Sequence, residues 1–152
     1  MVISLSYALR CHNHVMVTIL FGLLLQWLRP LHLSTAAWPR IAGGVLAVAN
    51  IIVGLWALKT MRRSGTHVSP AKPSLVIVMD GPFRFTRNPL YLTGALVYLG
   101  LTLAFNIVWP LVLFLPMALL LHWGIVLREE RYLESKFGAA YLGYKARVRR
   151  WL

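Results

Sequence analysis

The sequence predicts an all-α integral membrane protein made of a single domain over residues 1–152. Three observations predict this class: 59% of the residues are hydrophobic, only 13% are charged, and long runs carry no Asp, Glu, Lys or Arg. Soluble domains are usually about 25% charged. We expect four transmembrane helices, near residues 12–28, 41–59, 89–105 and 108–127, together with a cytoplasmic loop and a C-terminal amphipathic helix.

The charge-free runs set the expected number of crossings. Runs 11–28 and 41–58 each fit one crossing, because the hydrocarbon core of a bilayer takes roughly 20 helical residues. Run 88–127 is long enough for two crossings, and Asn106 with Pro110 supplies a turn near its middle. The first run is expected to stay in the protein, because no small-residue signal-peptide cleavage site follows it.

The basic residues predict the orientation. Six of the sixteen Lys and Arg residues lie in the loop 59–88, seven follow residue 127, and Arg29 and Arg40 stand alone between the first two helices. The positive-inside rule then places both termini and the loop 59–88 in the cytoplasm, as in a multi-pass protein of a bacterial inner membrane. A net charge of +12 suggests nucleic acid in a soluble protein. Here the positions of the charges indicate the bilayer as partner, and no nucleic acid is expected.

The loop and the start of the third helix combine turn-forming and basic residues. Gly65, Pro70 and Pro73 predict an irregular path. Asn88 suits the N-cap position and Pro89 the first helical position. A helix start exposes backbone N–H groups and the positive end of the helix dipole, and Arg84 and Arg87 are close in sequence. This segment is predicted to cap a helix, to bind a carboxylate or phosphate, or to do both.

The tail after residue 128 has its own helical periodicity. Leu133, Phe137, Tyr141, Tyr144, Val148 and Leu152 recur at spacings of three and four, as in an amphipathic helix. Gly138 and Gly143 are points where this helix is expected to break. Glu130 projects into the apolar stripe, which is costly for a carboxylate without a partner. Its candidate partners are Arg84, Arg87, Arg147 or a bound cation.

Four sequence blocks resemble the membrane methyltransferase superfamily that includes isoprenylcysteine carboxyl methyltransferases and phospholipid N-methyltransferases. The blocks are Gly81-Pro82-Phe83, Arg87-Asn88-Pro89-Leu90-Tyr91, Glu129-Glu130 with Leu133, and Phe137-Gly138 with Tyr141, Tyr144 and Val148. Their order and spacing match over about 75 residues, with a hydrophobic hairpin between the second and third blocks. The N-terminal half matches only in having two helices.

The resemblance implies that the protein transfers a methyl group from S-adenosylmethionine to a lipophilic acceptor, such as an isoprenylcysteine-like carboxylate or another membrane-borne lipid. The implied cofactor-binding residues are Val76, Ile77, Val78, Phe83, Arg87, Asn88, Pro89, Leu90, Tyr91, Glu129 and Glu130. The implied catalytic residues are Arg147 and Glu130. The five histidines lack metal-ligand spacing, so no metal site is predicted.

One departure from the family pattern concerns position 88, where the family has His and this chain has Asn. Asparagine keeps hydrogen-bonding groups but does not titrate near neutral pH, so a general base at this position is excluded. This favours an acceptor that is already anionic. Two alternatives stay open: a nicotinamide-dependent membrane reductase, since sterol reductases share a related C-terminal architecture, and a non-catalytic lipid-binding or assembly protein.

Overall fold

The computed structural model describes residues 5–66 and 75–151, with side chains in the first helix described from residue 13. The regular secondary structure of these residues is helical, and they contain no strand. In chain order the helices are α1 (Leu5–Leu28), α2 (Trp38–Arg63), α3 (Pro89–Ala104), α4 (Trp109–Leu121), α5 (Leu127–Phe137) and α6 (Ala139–Arg147). A 3₁₀ turn at Gly81–Arg84 precedes α3, and a π-helical segment at His122–Val126 joins α4 to α5. Pro70, Lys72, Pro73 and Leu152 lie outside the described residues.

Two helices are long and apolar enough to cross a bilayer, namely Trp38–Arg63 and the continuous helix Trp109–Phe137. Only 17% of the most apolar window of each is buried inside the protein. The core helix of a soluble protein is mostly buried, so these outward-facing apolar surfaces fit a lipid environment. Asn13–Leu28 and Pro89–Ala104 are apolar but shorter.

Two observed helices extend beyond their predicted C-terminal ends, into segments that contain charged residues. Helix α2 continues to Arg63 instead of stopping near residue 59, and the helix predicted to end at 127 continues to Phe137. Charged residues mark where a helix leaves the hydrocarbon, but Lys, Arg and Glu are good helix formers and do not end it. Helix α5 ends at Phe137, because the next residue, Gly138, has a φ of 51°, a conformation that favours glycine.

The tail is therefore two helices and an extended segment, and not one amphipathic helix. Gly138 separates α5 from α6, as one of the two predicted break points, whereas Gly143 lies inside α6. The backbone becomes extended at Val148, with φ −119° and ψ 129°. This change of direction brings Arg149 and Arg150 back toward the start of α3.

Helices α2 and α3 pack closely along small residues. A Cβ built on Gly43 would lie 2.6 Å from the Gly100 carbonyl oxygen and 2.6 Å from the Ala104 nitrogen, and one built on Gly100 would lie 2.7 Å from the Ala47 nitrogen. Backbones that approach this closely are typical of helix pairs in membranes, where dispersion contacts replace the hydrophobic effect as the source of association. This close packing fixes the position of α3, and therefore of its first residues, relative to α2.

The predicted turn near Asn106 is confirmed, and Asn106 also ties two loops together. Its φ is 57°, and its side chain is 3% exposed. Its Oδ1 accepts hydrogen bonds from the backbone nitrogens of Leu33 and Ser34, each at 3.0 Å, and its Nδ2 donates to the Ser34 carbonyl at 2.8 Å. The α1–α2 connection is thereby held on the α3–α4 turn.

Replacing Asn106 with alanine is expected to lower the free energy of unfolding by about 1–3 kcal/mol, because two partly buried N–H groups lose their acceptor and the left-handed backbone loses a residue type that tolerates it. Thermal unfolding of the purified protein in detergent measures this loss. Asn106→Gly keeps the backbone conformation and removes only the three hydrogen bonds, so it is expected to unfold between the alanine variant and the wild type. Equal stability of Asn106→Ala and wild type would contradict the assignment.

Candidate active site

The segment before α3 is held against α2 by a turn that needs glycine. Gly81 has a φ of 58°, and a Cβ there would lie 2.8 Å from the Thr60 hydroxyl and 3.2 Å from Trp56 Nε1. This close approach lets the 3₁₀ turn lie directly on the last turns of α2. Phe83 from the turn is then buried in a cluster with Ala57 and Val78, against which Met61 and Leu90 pack.

Helix α3 begins as predicted, with Asn88 at the N-cap position and Pro89 as its first residue, but the Asn88 side chain does not cap the helix. Its Nδ2 lies 3.3 Å from Glu130 Oε1 and 3.3 Å from the Arg150 carbonyl oxygen, and donates to both. Asn88 is 7% exposed. The amide therefore links the start of α3 to α5 and to the end of the chain, and its predicted role as a side-chain cap is wrong.

Glu130 is the most heavily paired acid in the described part of the chain. It is 4% exposed. The Arg150 guanidinium donates to both of its oxygens, from Nε at 3.1 Å to each and from Nη2 at 2.9 Å to Oε2. Arg87 Nη1 lies 3.4 Å from Oε1. The cost of burying this carboxylate is offset by two guanidinium groups and one amide.

Glu129, the adjacent acid, has a different environment. Its Oε2 accepts a hydrogen bond of 2.8 Å from the Tyr91 hydroxyl, and its Oε1 accepts none from the described residues. Tyr91 stands one turn into α3, so this bond is a second link between α3 and α5. Glu129 borders a cavity, whereas Glu130 does not.

The cavity lies between the segment before α3, the end of α2 and the two tail helices. Its lining residues are Met61, Thr66, Val76, Ile77, Val78, Phe83, Arg87, Asn88, Glu129, Leu133, Tyr141 and Tyr144. Its volume is about 70 Å³. Ligand pockets usually measure about 300–1,000 Å³, so a nucleotide-sized molecule requires these lining segments to move apart or extends beyond the cavity.

Arg87 presents a buried positive charge with unused donors to this cavity. Its side chain is 8% exposed. Nε and Nη1 donate no hydrogen bond to any described residue, although Nη1 is within ion-pair distance of Glu130. Buried guanidinium N–H groups without an acceptor are rare, because each costs about 1–3 kcal/mol or more. The arrangement is one that an anionic ligand would complete.

Two tyrosines of α6 form the wall opposite α2. Tyr144 donates to the Phe83 carbonyl oxygen at 2.7 Å, and its ring centroid is 6.1 Å from that of Tyr141. Burial, and next the negative charge of Glu130, raise the pKa of Tyr141 to about 12. Burial likewise raises the pKa of Tyr144. Both hydroxyls therefore stay protonated at physiological pH, and that of Tyr144 acts as a neutral donor to the Phe83 carbonyl.

The structure brings most of the predicted binding residues to one place. Seven of them line the cavity: Val76, Ile77, Val78, Phe83, Arg87, Asn88 and Glu129. Pro89 is fully buried, Leu90 packs on the Phe83 cluster, and Tyr91 reaches the cavity only through Glu129. Among the lining residues, Met61, Thr66, Leu133, Tyr141 and Tyr144 are additions to the predicted set.

Arg147, the predicted catalytic arginine, lies away from this cluster. It is exposed, and its Nε donates to the Gly143 carbonyl oxygen at 3.1 Å within its own helix. Of the three candidate arginine partners of Glu130, Arg87 is correct, and the second arginine that pairs with it is Arg150, which sequence reasoning missed. The sequence pattern carried no signal for Arg150, because helical periodicity was extended past the point where α6 ends.

Comparison with known proteins gives one family and one short relative. A family model described as phospholipid methyltransferase matches residues 38–140. An uncharacterized protein of Haemophilus influenzae is 67% identical over 27 residues, which are 18% of this chain and 43% of that protein. The match thus spans less than half of that relative. No solved structure matches the chain significantly.

Proposed function

This chain belongs to the phospholipid methyltransferase family, and from that premise we propose that it transfers a methyl group from S-adenosylmethionine to a lipophilic acceptor at the cytoplasmic surface of a membrane. Family membership implies a methyltransferase acting on a lipid-like acceptor. The residues of the site support the identity of the methyl donor and the place of the reaction.

The observation that carries the proposal is the buried Arg87 guanidinium at the wall of the cavity, whose Nε and Nη1 donate no hydrogen bond to a described residue, although Nη1 lies 3.4 Å from Glu130 Oε1. S-adenosylmethionine carries a carboxylate, and a planar guanidinium binds carboxylates through parallel N–H donors. The cavity is lined on its other sides by Phe83, Val78 and Tyr141, which offer apolar and aromatic surface. The residues present therefore fit the donor.

Glu129 supplies the second polar contact. Its Oε1 accepts no hydrogen bond from the described residues, and the side chain borders the same cavity as Arg87. A carboxylate there can accept from the amino group or from a ribose hydroxyl of the donor, and it balances part of the sulfonium charge. Together, Arg87 and Glu129 recognise a molecule that carries both charges.

S-adenosylmethionine supplies an electrophilic methyl group on a positive sulfur, and its transfer to a nucleophile leaves a neutral thioether. The task of the chain is to hold donor and acceptor in line and to exclude water. Asn88 cannot take a proton near neutral pH, and its amide is already bonded to Glu130 and to the Arg150 carbonyl. An acceptor that arrives as a carboxylate or thiolate needs no base, so we propose an anionic acceptor.

The membrane arrangement forms part of the same proposal. We propose that the apolar helices Asn13–Leu28 and Pro89–Ala104 cross the bilayer together with the two longer helices, which gives four spans with both termini in the cytoplasm. The end of α2 carries the exposed cations Lys59, Arg62 and Arg63 beside the cavity-lining residues Met61 and Thr66. The positive-inside rule then places the cavity at the cytoplasmic surface, where a lipid acceptor reaches it from the bilayer.

Calorimetric titration of the full chain in nanodiscs with S-adenosylhomocysteine, the demethylated product, tests the proposal. We expect saturable binding, and weaker binding for Glu129→Gln by about 10-fold, since one hydrogen bond to a charged group contributes about 1.5–3 kcal/mol and the glutamine carbonyl replaces part of it. Glu134→Gln is the matched control, because Glu134 pairs with Lys145 away from the cavity. Absence of binding sinks the proposal, and binding of NADPH in a parallel titration supports the reductase alternative instead.

A further inference from the structure

We propose that Arg150 is a positioning residue and that the last residues of the chain form a strap that holds the site in shape. The C-terminal strap is defined as residues 148–151, the non-helical segment after α6. The proposal rests on the proposed function for its effect on ligand binding. Its structural part, that the strap orders the start of α3, can be tested without any ligand.

The strap is joined to the segment before α3 by backbone contacts. The Arg87 nitrogen donates to the Arg149 carbonyl oxygen at 3.0 Å. The Arg150 carbonyl oxygen accepts from the Thr86 hydroxyl at 2.9 Å and from Asn88 Nδ2 at 3.3 Å. Three consecutive residues ahead of α3 are thus bonded to two consecutive residues of the strap.

The Arg150 side chain occupies both oxygens of Glu130. Its donors lie at 2.9–3.1 Å from the carboxylate in a bidentate arrangement, and Asn88 and Arg87 fill the remaining approaches to Oε1. Hydrogen bonding to Glu130 raises the pKa of Arg150. A carboxylate with this many partners is poorly placed to bind a ligand or to accept a proton. Glu130, predicted above as catalytic, is better assigned as a positioning residue.

The far end of the strap is also anchored. The Trp151 ring lies 5.8 Å from the His122 ring, measured between centroids, in the π-helical segment. His122 does not line the cavity. Single turns of π-helix are frequent at functional sites because they rotate the side chains that follow. Here the turn presents the His122 ring to Trp151 on the helix that continues to Glu129 and Glu130.

These contacts hold both the backbone and the side chain of Arg87 in place. The strap fixes the Arg87 backbone through Arg149, and it fixes the Arg87 guanidinium through Arg150 and Glu130. Arg87 has two buried donors without acceptors, so it must be held in place for its N–H groups to face the cavity. Residues outside the first contact layer commonly change ligand affinity by about 10- to 100-fold in metal sites, and we expect a similar range here.

The experiment compares Arg150→Gln with Arg131→Gln, which removes an exposed arginine from the same helix as Glu130. Hydrogen exchange without ligand is expected to accelerate in residues 86–88 of Arg150→Gln only. Calorimetry with S-adenosylhomocysteine is expected to give about 10- to 100-fold weaker binding for Arg150→Gln and no change for Arg131→Gln. The double variant Glu130→Gln/Arg150→Gln is expected to bind no more weakly than Glu130→Gln alone, because Arg150 acts through Glu130.

Wild-type exchange and wild-type affinity in Arg150→Gln would overturn the proposal, and faster exchange with unchanged affinity would overturn the positioning role. If Arg150→Gln does not fold, Arg150→Lys is the test, because lysine keeps the charge and loses the bidentate geometry. Full wild-type affinity in Arg150→Lys would refute the positioning role of the Arg150 guanidinium. If the wild type binds no S-adenosylhomocysteine, the proposed function fails, and the exchange measurement still accepts or rejects the strap.

Discussion

Arg87→Gln is expected to abolish methyl transfer and to weaken binding of S-adenosylhomocysteine between roughly 30-fold and 3,000-fold. Removing one partner of a buried, hydrogen-bonded charge pair costs about 2–5 kcal/mol, and each 1.4 kcal/mol is tenfold in affinity. The Arg87 side chain is 8% exposed, and its Nε and Nη1 make no hydrogen bond to a described residue, so a ligand carboxylate would lose a buried partner that water does not replace. Calorimetry on the full chain in nanodiscs gives the change in dissociation constant.

Arg84→Gln is the matched control for this variant. Arg84 lies three residues before Arg87, is exposed and does not line the cavity. The substitution therefore removes the same charge from the chain without changing the cavity. The fold should survive Arg87→Gln, because Glu130 keeps Arg150 and Asn88 as partners. A folded Arg87→Gln protein with wild-type affinity would rule out Arg87 as the seat of the donor carboxylate.

The charge-free runs predicted where the apolar helices lie, because a charge is costly to desolvate and is therefore rare within a helix that faces an apolar environment. They predicted the helix ends poorly. Arg63 ends α2 and Phe137 ends α5, four and ten residues beyond the predicted ends, since leaving the hydrocarbon does not require a helix to stop. What stops α5 is a backbone conformation at Gly138, which was recognised as a break point but not distinguished from Gly143.

The site was predictable where its residues fall within the family blocks. Phe83, Arg87, Asn88 and Glu129 belong to such blocks and line one cavity. The pairing of acids and arginines was not predictable, because it depends on where α6 ends. A helix continued to the last residue keeps Arg147 on a plausible face, whereas the observed turn to extended backbone at Val148 brings Arg150 to Glu130.

Sequence reasoning assigned both of the adjacent acids, Glu129 and Glu130, to cofactor binding and Glu130 to catalysis as well, but the structure gives them different surroundings. Neighbouring residues on a helix point about 100° apart, so one faces the cavity and the other faces the arginines. Glu130 is satisfied by the protein itself, and Glu129 keeps one oxygen for a ligand. Only contacts distinguish the two, and the contacts come from α3 and from the strap.

Gly43→Leu is expected to have the largest effect on stability, with a loss of about 3 kcal/mol or more in the free energy of unfolding. Even a Cβ at this position lies 2.6 Å from two backbone atoms of α3 and from Leu103 Cβ, and backbone cannot move aside as a flexible side chain can. Overpacking of a well-packed interface costs about 1–3 kcal/mol, and here the whole helix pair must separate. Thermal unfolding in detergent measures the change.

Gly44→Leu provides the matched control, because a Cβ at Gly44 meets nothing within 4 Å and both glycines lie in the same turn of α2. It adds the same side chain where a Cβ meets open space and removes a glycine from a helix, so it should be neutral or slightly stabilising. Gly100→Ala tests the partner surface, where the new Cβ meets the Gly43 carbonyl at 2.7 Å. If Gly43→Leu and Gly44→Leu unfold at the same temperature, close backbone contact between α2 and α3 does not hold this fold together. Because α2 also carries Ala57 and Met61 against Phe83, a separated pair should lose ligand affinity as well as stability.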